Sequence, residues 1–550
     1  MTRRTPSVTD HEGRPTLLER VVIKNFRQFR ALDVELNPDV NIFVGDNEAG
    51  KSTILQAIEM ALSGRIGGRR IDDERSSHWF PKEVVEQYLV DLKAGGSPKL
   101  PRLTIEAYFC ALPHLADYQG SNNSRREDRP GVSLICEFDP SFEAQYAQFI
   151  GDGQEIHSLP VEFYRIVRRT FAGDGVIGSR VGVQCAVIDS TALRLQSGAD
   201  YYLRKTLDEH LSDEVRSGMA LALRAYRENL SKDPAFIEAN ESIAVERNTL
   251  HKKSVRLAAD ASPKSAWESG IVPHLDDVPF GYVGKGEQAA FKTLLALDRE
   301  TARGVVLIEE PENHLSFGSL NALIERITER TTTKQLVLTT HSSFVLNKLG
   351  IRHLKLLKSR QVQNFATLSD ETQDYFLKLA GYDTLRLVLA RATILVEGPS
   401  DELIVQKAYR QKYGRMPLAD GIDVMSVQAL AFRRFLELGR ELSAHIAVVT
   451  DLDDDASDSK ARKRFEEFEV DGVVKGFVGE VAHGRTLEPQ LVHAAGGRAL
   501  AEVLGVSFST NEALSEYMTA QKTDAALKIF NSDCTITMPK YIEDAIDFVK

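Results

Sequence analysis

Apolar and polar positions along the chain follow two rhythms, and each predicts a different kind of element. From Leu18 to Gly45 the segments LERVVIKNFRQF, ALDVEL and VNIFVG alternate in a strand-like way, so three short strands are expected. The next stretch, STILQAIEMALSG, spaces its apolar residues at helical intervals. Residues 64–130 are rich in loop formers: Gly67-Gly68, Gly95-Gly96 and GSNNSRREDRPG surround one strand-like run, LTIEAYF. A loop-rich insertion around that strand is expected. Between Thr191 and Lys253 a charged helical pattern is interrupted by a single proline, Pro234, which predicts a helical arm without a sustained heptad. Unbroken apolar runs return at VVLIEEP, QLVLTTH, ATILVEG and HIAVVTD. Such runs alternating with helices predict a parallel sheet covered on both faces.

Composition narrows the class. Hydrophobic residues at 43% and charged residues at 27% exclude a disordered or fibrous chain. No apolar run approaches the ~20 residues of a membrane helix, and MTRRTPSVTDHEGRPT has an arginine pair with no apolar stretch behind it. A cytoplasmic protein with a polar tail and no membrane role is therefore expected. The net charge of -11 gives no bulk attraction to nucleic-acid phosphates, so any such surface has to be local. The four cysteines, Cys110, Cys136, Cys185 and Cys534, form no C-x-x-C pair. Reduced, mostly buried thiols are expected rather than a zinc ribbon.

The first chemical motif is Gly45-Asp46-Asn47-Glu48-Ala49-Gly50-Lys51-Ser52, which fits G-x-x-x-x-G-K-[ST] between a strand and a helix. Its glycines let the backbone wrap phosphates, while amides at the helix N-terminus face the anion. Lys51 is expected on the β/γ oxygens and Ser52 on Mg²⁺, with Gly45, Asn47, Gly50 and Thr53 as further nucleotide contacts. Val305–Ile308 lead into Glu309 and Glu310: Glu309 is the candidate for the Mg²⁺ shell and Glu310 for orienting and deprotonating water. His341 ends another apolar run and is the candidate γ-phosphate partner. A solvated strand end and a structural histidine are the plainer alternatives for these acids and for His341.

Taken in order, IKNFR, GDNEAGKST, GYVGKGEQ, VLIEEPENHL and TTHSS resemble the ABC-type ATPase head of the SMC/RecF/OLD group. The resemblance implies ATP sandwiched between two heads, with Gly284 and Gly286 in the signature loop that reaches across to the other subunit. This loop lacks the usual serine, the first Walker B acid is glutamate rather than aspartate, and no Q-loop glutamine can be placed.

The second motif is a set of carboxylates. LVEGPSDE ends a strand at Glu397 and opens a helix near Asp401, and HIAVVT runs into Asp451-Leu452-Asp453-Asp454-Asp455. Acids at the carboxyl ends of adjacent parallel strands converge in one crevice, and oxygen-only clusters suit Mg²⁺ or Mn²⁺. An acidic run alone is more often a solvated loop. The paired pattern resembles the Toprim domain of topoisomerases, primases and OLD-type nucleases. RTLEPQL resembles the segment that supplies a further metal ligand there, Glu488, and Lys540 in MPKYIEDAIDFV resembles the family's late lysine, with Lys528 as its competitor.

ATPase head followed by Toprim resembles the OLD family of ATP-dependent endonucleases, whose relatives include the nuclease subunit of Gabija-type phage defence. The resemblance implies an α/β fold, an ABC/SMC-type P-loop ATPase head with a helical insertion followed by a Rossmann-like Toprim domain. The resemblance covers about residues 18–60, 280–345 and 390–550; with the patterns above, the chain is expected to divide into a tail (1–17), the head's first part (18–190), a helical arm available for dimerisation (191–270), the head's second part (271–386) and Toprim with its C-terminal extension (387–550). The implied activity is metal-dependent DNA endonuclease or nickase action with ATP and Mg²⁺ or Mn²⁺, in phage defence or DNA processing. Implied partners are DNA, a second copy or higher homo-oligomer, and a helicase or other defence protein. Arg65, Arg69, Arg70, Arg125 and Arg126 are candidate phosphate contacts, or else solvated loop residues. The competing class is a non-catalytic ATPase scaffold or clamp whose Toprim unit docks a partner. A primase or topoisomerase ranks last, because these cysteines build no zinc module and no recognisable domain carries a nucleophilic tyrosine.

Overall fold

The computed structural model describes residues 17–94, 98–151, 156–176, 183–189, 211–230, 232–245, 274–297, 304–330, 334–364, 368–379, 381–427, 431–452, 462–463 and 465–550. The chain divides into two compact units. The first holds Met1–Phe43, Gly50–Thr340 and Arg360–Val362; the second holds Val44–Ala49, His341–Ser359 and Gln363–Lys550.

In the first unit, β1 (Leu18–Phe26) and β2 (Phe29–Glu35) form an antiparallel hairpin, and β3 (Val40–Gly45) runs into helix α1 (Lys51–Ser63). Helix α2 (Lys82–Lys93) is followed by β4 (Leu103–Phe109), β5 (Arg129–Phe138), β6 (Tyr164–Thr170) and β7 (Gln184–Asp189). Two arm helices, α3 (Asp213–Leu230) and α4 (Pro234–Val245), precede α5 (Lys285–Leu297), β8 (Gly304–Glu309), α6 (Phe317–Arg330) and β9 (Gln335–Thr339). One sheet is antiparallel, ordered β2-β1-β4-β5 with β6 on the far side of β5. The other is parallel, ordered β7-β8-β9-β3, with Ile308 opposite Ile188 and Leu338, and Leu338 opposite Ile42. Its strands are continuous apolar runs because both faces are buried. Helix α1 packs on strands of both sheets and is buried almost all round, so its apolar residues are not confined to one stripe. Gly64, at φ 65°, closes it with a left-handed cap.

Helix α2 corrects the expectation of loops around one strand over 64–130. Its twelve residues, KEVVEQYLVDLK, bury a single side chain, Tyr88. Val84, Val85, Leu89 and Leu92 flank Tyr88 at helical spacing and are half-buried, so the stripe is present in the sequence, inside a segment otherwise dominated by glycine and charge. The arm's expected helical character holds where it is described, over α3 and α4; residues 190–210 and 246–273 lie outside the described residues. Cys110, Cys136 and Cys185 are buried and Cys534 is exposed, all four outside any disulfide.

The second unit is built on a four-stranded parallel sheet. Its elements are β10 (Ala392–Val396), α7 (Pro399–Tyr413), β11 (Ile422–Ser426), α8 (Phe432–Glu441), β12 (His445–Thr450), β13 (Val474–Val478), α9 (Leu487–Ala495) and α10 (Lys522–Asn531). The last helix is α11 (Lys540–Val549). Strand order is β11-β10-β12-β13, with Val396 opposite both Ser426 and Val449. Apolar residues of β10, α7, α9, α10 and α11 form one core that includes Ile394, Ile404, Leu491, Ile529 and Ile542. With β10 and β12 adjacent and in register, Glu397 and Asp451 leave the sheet at neighbouring strand ends. Among the described residues, no helix is long and apolar enough to cross a membrane.

Candidate functional site

The phosphate loop is built by backbone necessity. Gly50 stands at φ 110° as the N-cap of α1, and a Cβ there would meet Gln28 Nε2 at 2.2 Å and the Phe29 ring at 2.4 Å. Only glycine fits. A glycine cap has no side chain to occupy the helix's first amides, which leaves that turn for an anion. Lys51 and Thr53 are buried in this turn and Ser52 is half-buried, while Asn47 lies exposed in the turn before it. Thr53 Oγ1 donates to Gln28 Oε1 at 3.1 Å, tying the loop to the β1–β2 turn.

At the end of β8, Glu309 sits opposite Thr339 of β9. Glu310 follows with φ 46°, a left-handed conformation uncommon for a side chain of its size. Its amide donates to Thr339 O at 3.0 Å, and its Oε2 accepts from Asn313 Nδ2 at 2.7 Å. Position and carboxylate are thus both held. His341 follows the β9 segment through Thr340 and is exposed. Gly284 precedes α5, and Gly286 lies in its first turn, where a Cβ would come within 2.2 Å of His314 O. Gly286 thus starts the helix in close backbone contact with the loop after β8, while Gly284 is exposed. Arg27, in the β1–β2 turn at φ 51°, was missed as a candidate. Burial depresses its guanidinium pKa and the Glu309 carboxylate partly offsets that, so it shares a neighbourhood with the strand-end acids. The signal available was its place inside the IKNFR motif.

The carboxylate cluster lies wholly in the second unit. Glu397 Oε1 accepts from Thr450 Oγ1 and from the Asp451 amide at 3.2 Å. Asp401 occupies the third position of α7, after Pro399, and its Oδ2 takes the Gly398 amide at 3.1 Å. Asp451 Oδ2 accepts the Leu487 amide at 3.0 Å, which fastens it to the start of α9. Glu488, in that same first turn, accepts from Thr486 Oγ1 at 2.8 Å. Asp451 and Glu488 are buried, while Glu397 and Asp401 are half-buried. Burial, and then the Glu397 charge, pushes Asp401 up to about 7. Burial, and then Asp401 and Glu397, carries Asp451 well above the usual carboxylate range. Burial and neighbouring like charge thus favour the protonated forms of Asp401 and Asp451.

The donor set fits a hard divalent ion. Among the described residues, no three acidic, histidine or cysteine side chains close into a ready cage. Each of the four acids uses one oxygen for a structural hydrogen bond, which orients its carboxyl group, and Mg²⁺ commonly keeps several waters and takes only one or two carboxylates. Asp453 lies outside the described residues.

Other expected residues are not brought in. Lys540 is exposed and pairs with both Asp544 oxygens at 2.7 and 2.8 Å, and Lys528 donates to Leu504 O at 3.3 Å. The residue beside Lys540, Tyr541, is the one turned inward: its ring is buried, and its hydroxyl is buried with no hydrogen-bond partner among the described residues. Of the loop arginines, Arg69 pairs with Glu74, Arg70 with Asp72 and Arg125 with Asp33 and Glu127, while Arg65 donates to Gly68 O.

With this geometry in place, family models account for both sites. An AAA-domain model matches residues 20–96, and a second AAA-domain model matches residues 270–347. A model described as overcoming lysogenization defect protein-like, TOPRIM domain, matches residues 388–453. The chain joins an ATPase head to an OLD-like Toprim domain. The RecF DNA replication and repair protein of Lactococcus lactis subsp. cremoris (strain MG1363) is 31% identical over 108 residues, 19% of this chain and 30% of that protein. RecF of Listeria welshimeri is 44% identical over 67 residues, 12% of this chain and 18% of that protein. The matches therefore span less than a third of these curated relatives. Among solved structures, the C-terminal region of the Burkholderia pseudomallei OLD protein is 24% identical, covering 29% of this chain and 97% of that one with a TM-score of 0.25. RecF-ATP of the RecFOR pathway is 13% identical, covering 64% and 99% with a TM-score of 0.33. The Toprim match ends at Asp453, so Glu488, expected from the resemblance of RTLEPQL, lies beyond it, and Tyr541 enters the picture from geometry alone.

Proposed function

We propose that this protein is a divalent-metal-dependent DNA endonuclease or nickase whose OLD-like Toprim domain cuts the strand and whose ATPase head regulates it. The observation that carries the reading is the meeting of Glu397, Asp401 and Asp451, with Glu488 behind them, at the ends of two adjacent parallel strands. Mg²⁺ or Mn²⁺ bound there would activate water and stabilise the leaving oxygen of a phosphodiester. Glu397 and Asp401 would hold the ion from the α7 side, Asp451 from the end of β12 and Glu488 from the start of α9. Asp453 belongs to the same proposed ligand set on the sequence pattern.

In the head, Lys51, Ser52 and Thr53 with Gly45, Asn47 and Gly50 would hold ATP, Glu309 its Mg²⁺, and Glu310 the attacking water, with His341 on the γ-phosphate. Gly284 and Gly286 would serve a second copy, which makes a dimer or higher oligomer the working assembly. The arm supports an additional contact between copies: Leu221 and Tyr226 of α3 are 66% and 64% exposed. A place in phage defence or DNA processing, with a helicase or other partner, fits this chemistry.

The test is nicking of supercoiled plasmid in Mg²⁺ or Mn²⁺ by the wild type and by Glu397→Ala. The variant is expected to lose activity by at least about 100-fold, since removing a ligand disables the metal site. One feature favours the scaffold reading: all four carboxylates also hold local structure through their hydrogen bonds. A wild type that nicks in neither metal, or a Glu397→Ala variant as active as wild type, decides for the scaffold.

A further inference from the structure

Helix α11 packs on β10, β12 and β13, the strands whose ends carry or adjoin the carboxylates, and Tyr541 sits in its first turn. The side chain is 94% buried at the residue level, with 6% of its surface exposed. Its hydroxyl is sealed from solvent and has no hydrogen-bond partner among the described residues. Leaving a buried hydroxyl unpaired destabilises the fold, and each such group calls for an explanation, a catalytic role or a bound water or ion among them. The charges that act on this phenol are Asp451, Asp401, Glu397 and Glu488, all four members of the cluster. Each of those carboxylates already has an oxygen occupied by an amide or hydroxyl of its own neighbourhood.

We propose that Tyr541 is a hydrogen-bond donor of the Toprim site, its hydroxyl reaching an oxygen that a bound divalent ion carries, either the ion's water or a phosphate oxygen of the nucleic-acid strand. This inference rests on the nuclease reading. It assigns to Tyr541 the polar contact that the exposed, Asp544-paired Lys540 does not make in this fold. The donor orients the oxygen against the ion and adds a fixed dipole where negative charge develops. No bond to the phenol forms or breaks.

The experiment compares full-length wild type, Tyr541→Phe and Glu397→Ala. The readouts are thermal midpoint without metal, the rise in midpoint with Mn²⁺ alone, the rise with Mn²⁺ and plasmid, and nicking rate. Tyr541→Phe keeps the ring and deletes the orphan hydroxyl, so its metal-free midpoint is expected at or above that of wild type. Its nicking rate is expected to fall about tenfold, a loss of about 1.4 kcal/mol. A reduced rise in Mn²⁺ alone identifies the water as partner; a reduction seen only with plasmid identifies the phosphate oxygen. A Tyr541→Phe variant equal to wild type in both Mn²⁺ response and nicking overturns the inference, and so does a metal-free midpoint several degrees below wild type. If Glu397→Ala loses nicking while Tyr541→Phe does not, only the tyrosine role fails. If Glu397→Ala nicks like wild type, the nuclease reading fails with it.

Discussion

Asp401 carries the sharpest consequence at the scale of a single residue. Its pKa of about 7 in the folded chain lies above the ~3.9 of an unfolded aspartate. Between those values the folded state holds a proton that the unfolded state has released, so stability at this site falls as pH rises from about 4 through 7. Asp401→Asn imitates the protonated form at every pH. In metal-free buffer its thermal midpoint should exceed that of wild type by a margin that grows from pH 5 to about 7 and levels off by pH 8. In wild type, Mn²⁺ must displace the same proton, so the Mn²⁺-induced rise in midpoint should grow across that window. A wild-type to Asp401→Asn difference that stays constant from pH 5 to 8 would show that the carboxyl ionises normally. Asp451, pushed the same way by burial and by Asp401 and Glu397, reinforces the trend.

Among the elements, the start of α5 makes a comparable commitment. Gly286 approaches the carbonyl of His314, and an added Cβ would stand 2.2 Å from that backbone oxygen. Backbone cannot swing aside as a flexible side chain does, so Gly286→Ala is expected to shift the helix start. The expected cost is about 1–3 kcal/mol of stability together with a clear loss of ATPase turnover. Wild-type turnover and an unchanged denaturation midpoint in that variant would count against the close packing. The glycine pattern was legible in GYVGKGEQ; the reason for it, an opposing carbonyl far along the chain, was not. The same divide runs through the molecule. The strands at 18–45, 304–309, 335–339, 392–396 and 445–450 stood out because burial on both faces or one writes a plain apolar rhythm. Helix α2 writes such a rhythm too, at Val84, Val85, Tyr88, Leu89 and Leu92, but its short stripe is set among the glycine-rich and charged stretches that predicted loops. The site acids were visible from their positions at strand ends. The inward turn of Tyr541 beside the outward Lys540, and the pairing of the arginine loops with nearby acids, depend on which face of a helix or loop meets the core.

For the whole molecule, the question is what two chemistries in one chain do to each other. The head's phosphate loop and the Toprim carboxylates each answer to their own ligand, and covalent linkage alone couples nothing. Coupling requires that nucleotide binding change the free energy of metal or DNA binding, and thermodynamics then makes the effect reciprocal. Typical coupling of 1–3 kcal/mol corresponds to roughly 5–150-fold in affinity. Wild-type nicking, measured at limiting Mn²⁺ so that affinity governs rate, should therefore differ by several-fold between nucleotide-free, ATP and non-hydrolysable-analogue conditions. Lys51→Ala removes the charge that neutralises the β/γ phosphates and should hold the enzyme at its nucleotide-free rate in all three. Conversely, Mn²⁺ and plasmid should shift ATP affinity in wild type, and Glu397→Ala should abolish that shift. If ATP acts through hydrolysis, the analogue will give the opposite or no response; if it acts through binding, the analogue will reproduce ATP. Identical nicking by wild type in all three conditions, with Lys51→Ala indistinguishable from it, would leave the ATPase and the carboxylate site as independent devices sharing one chain.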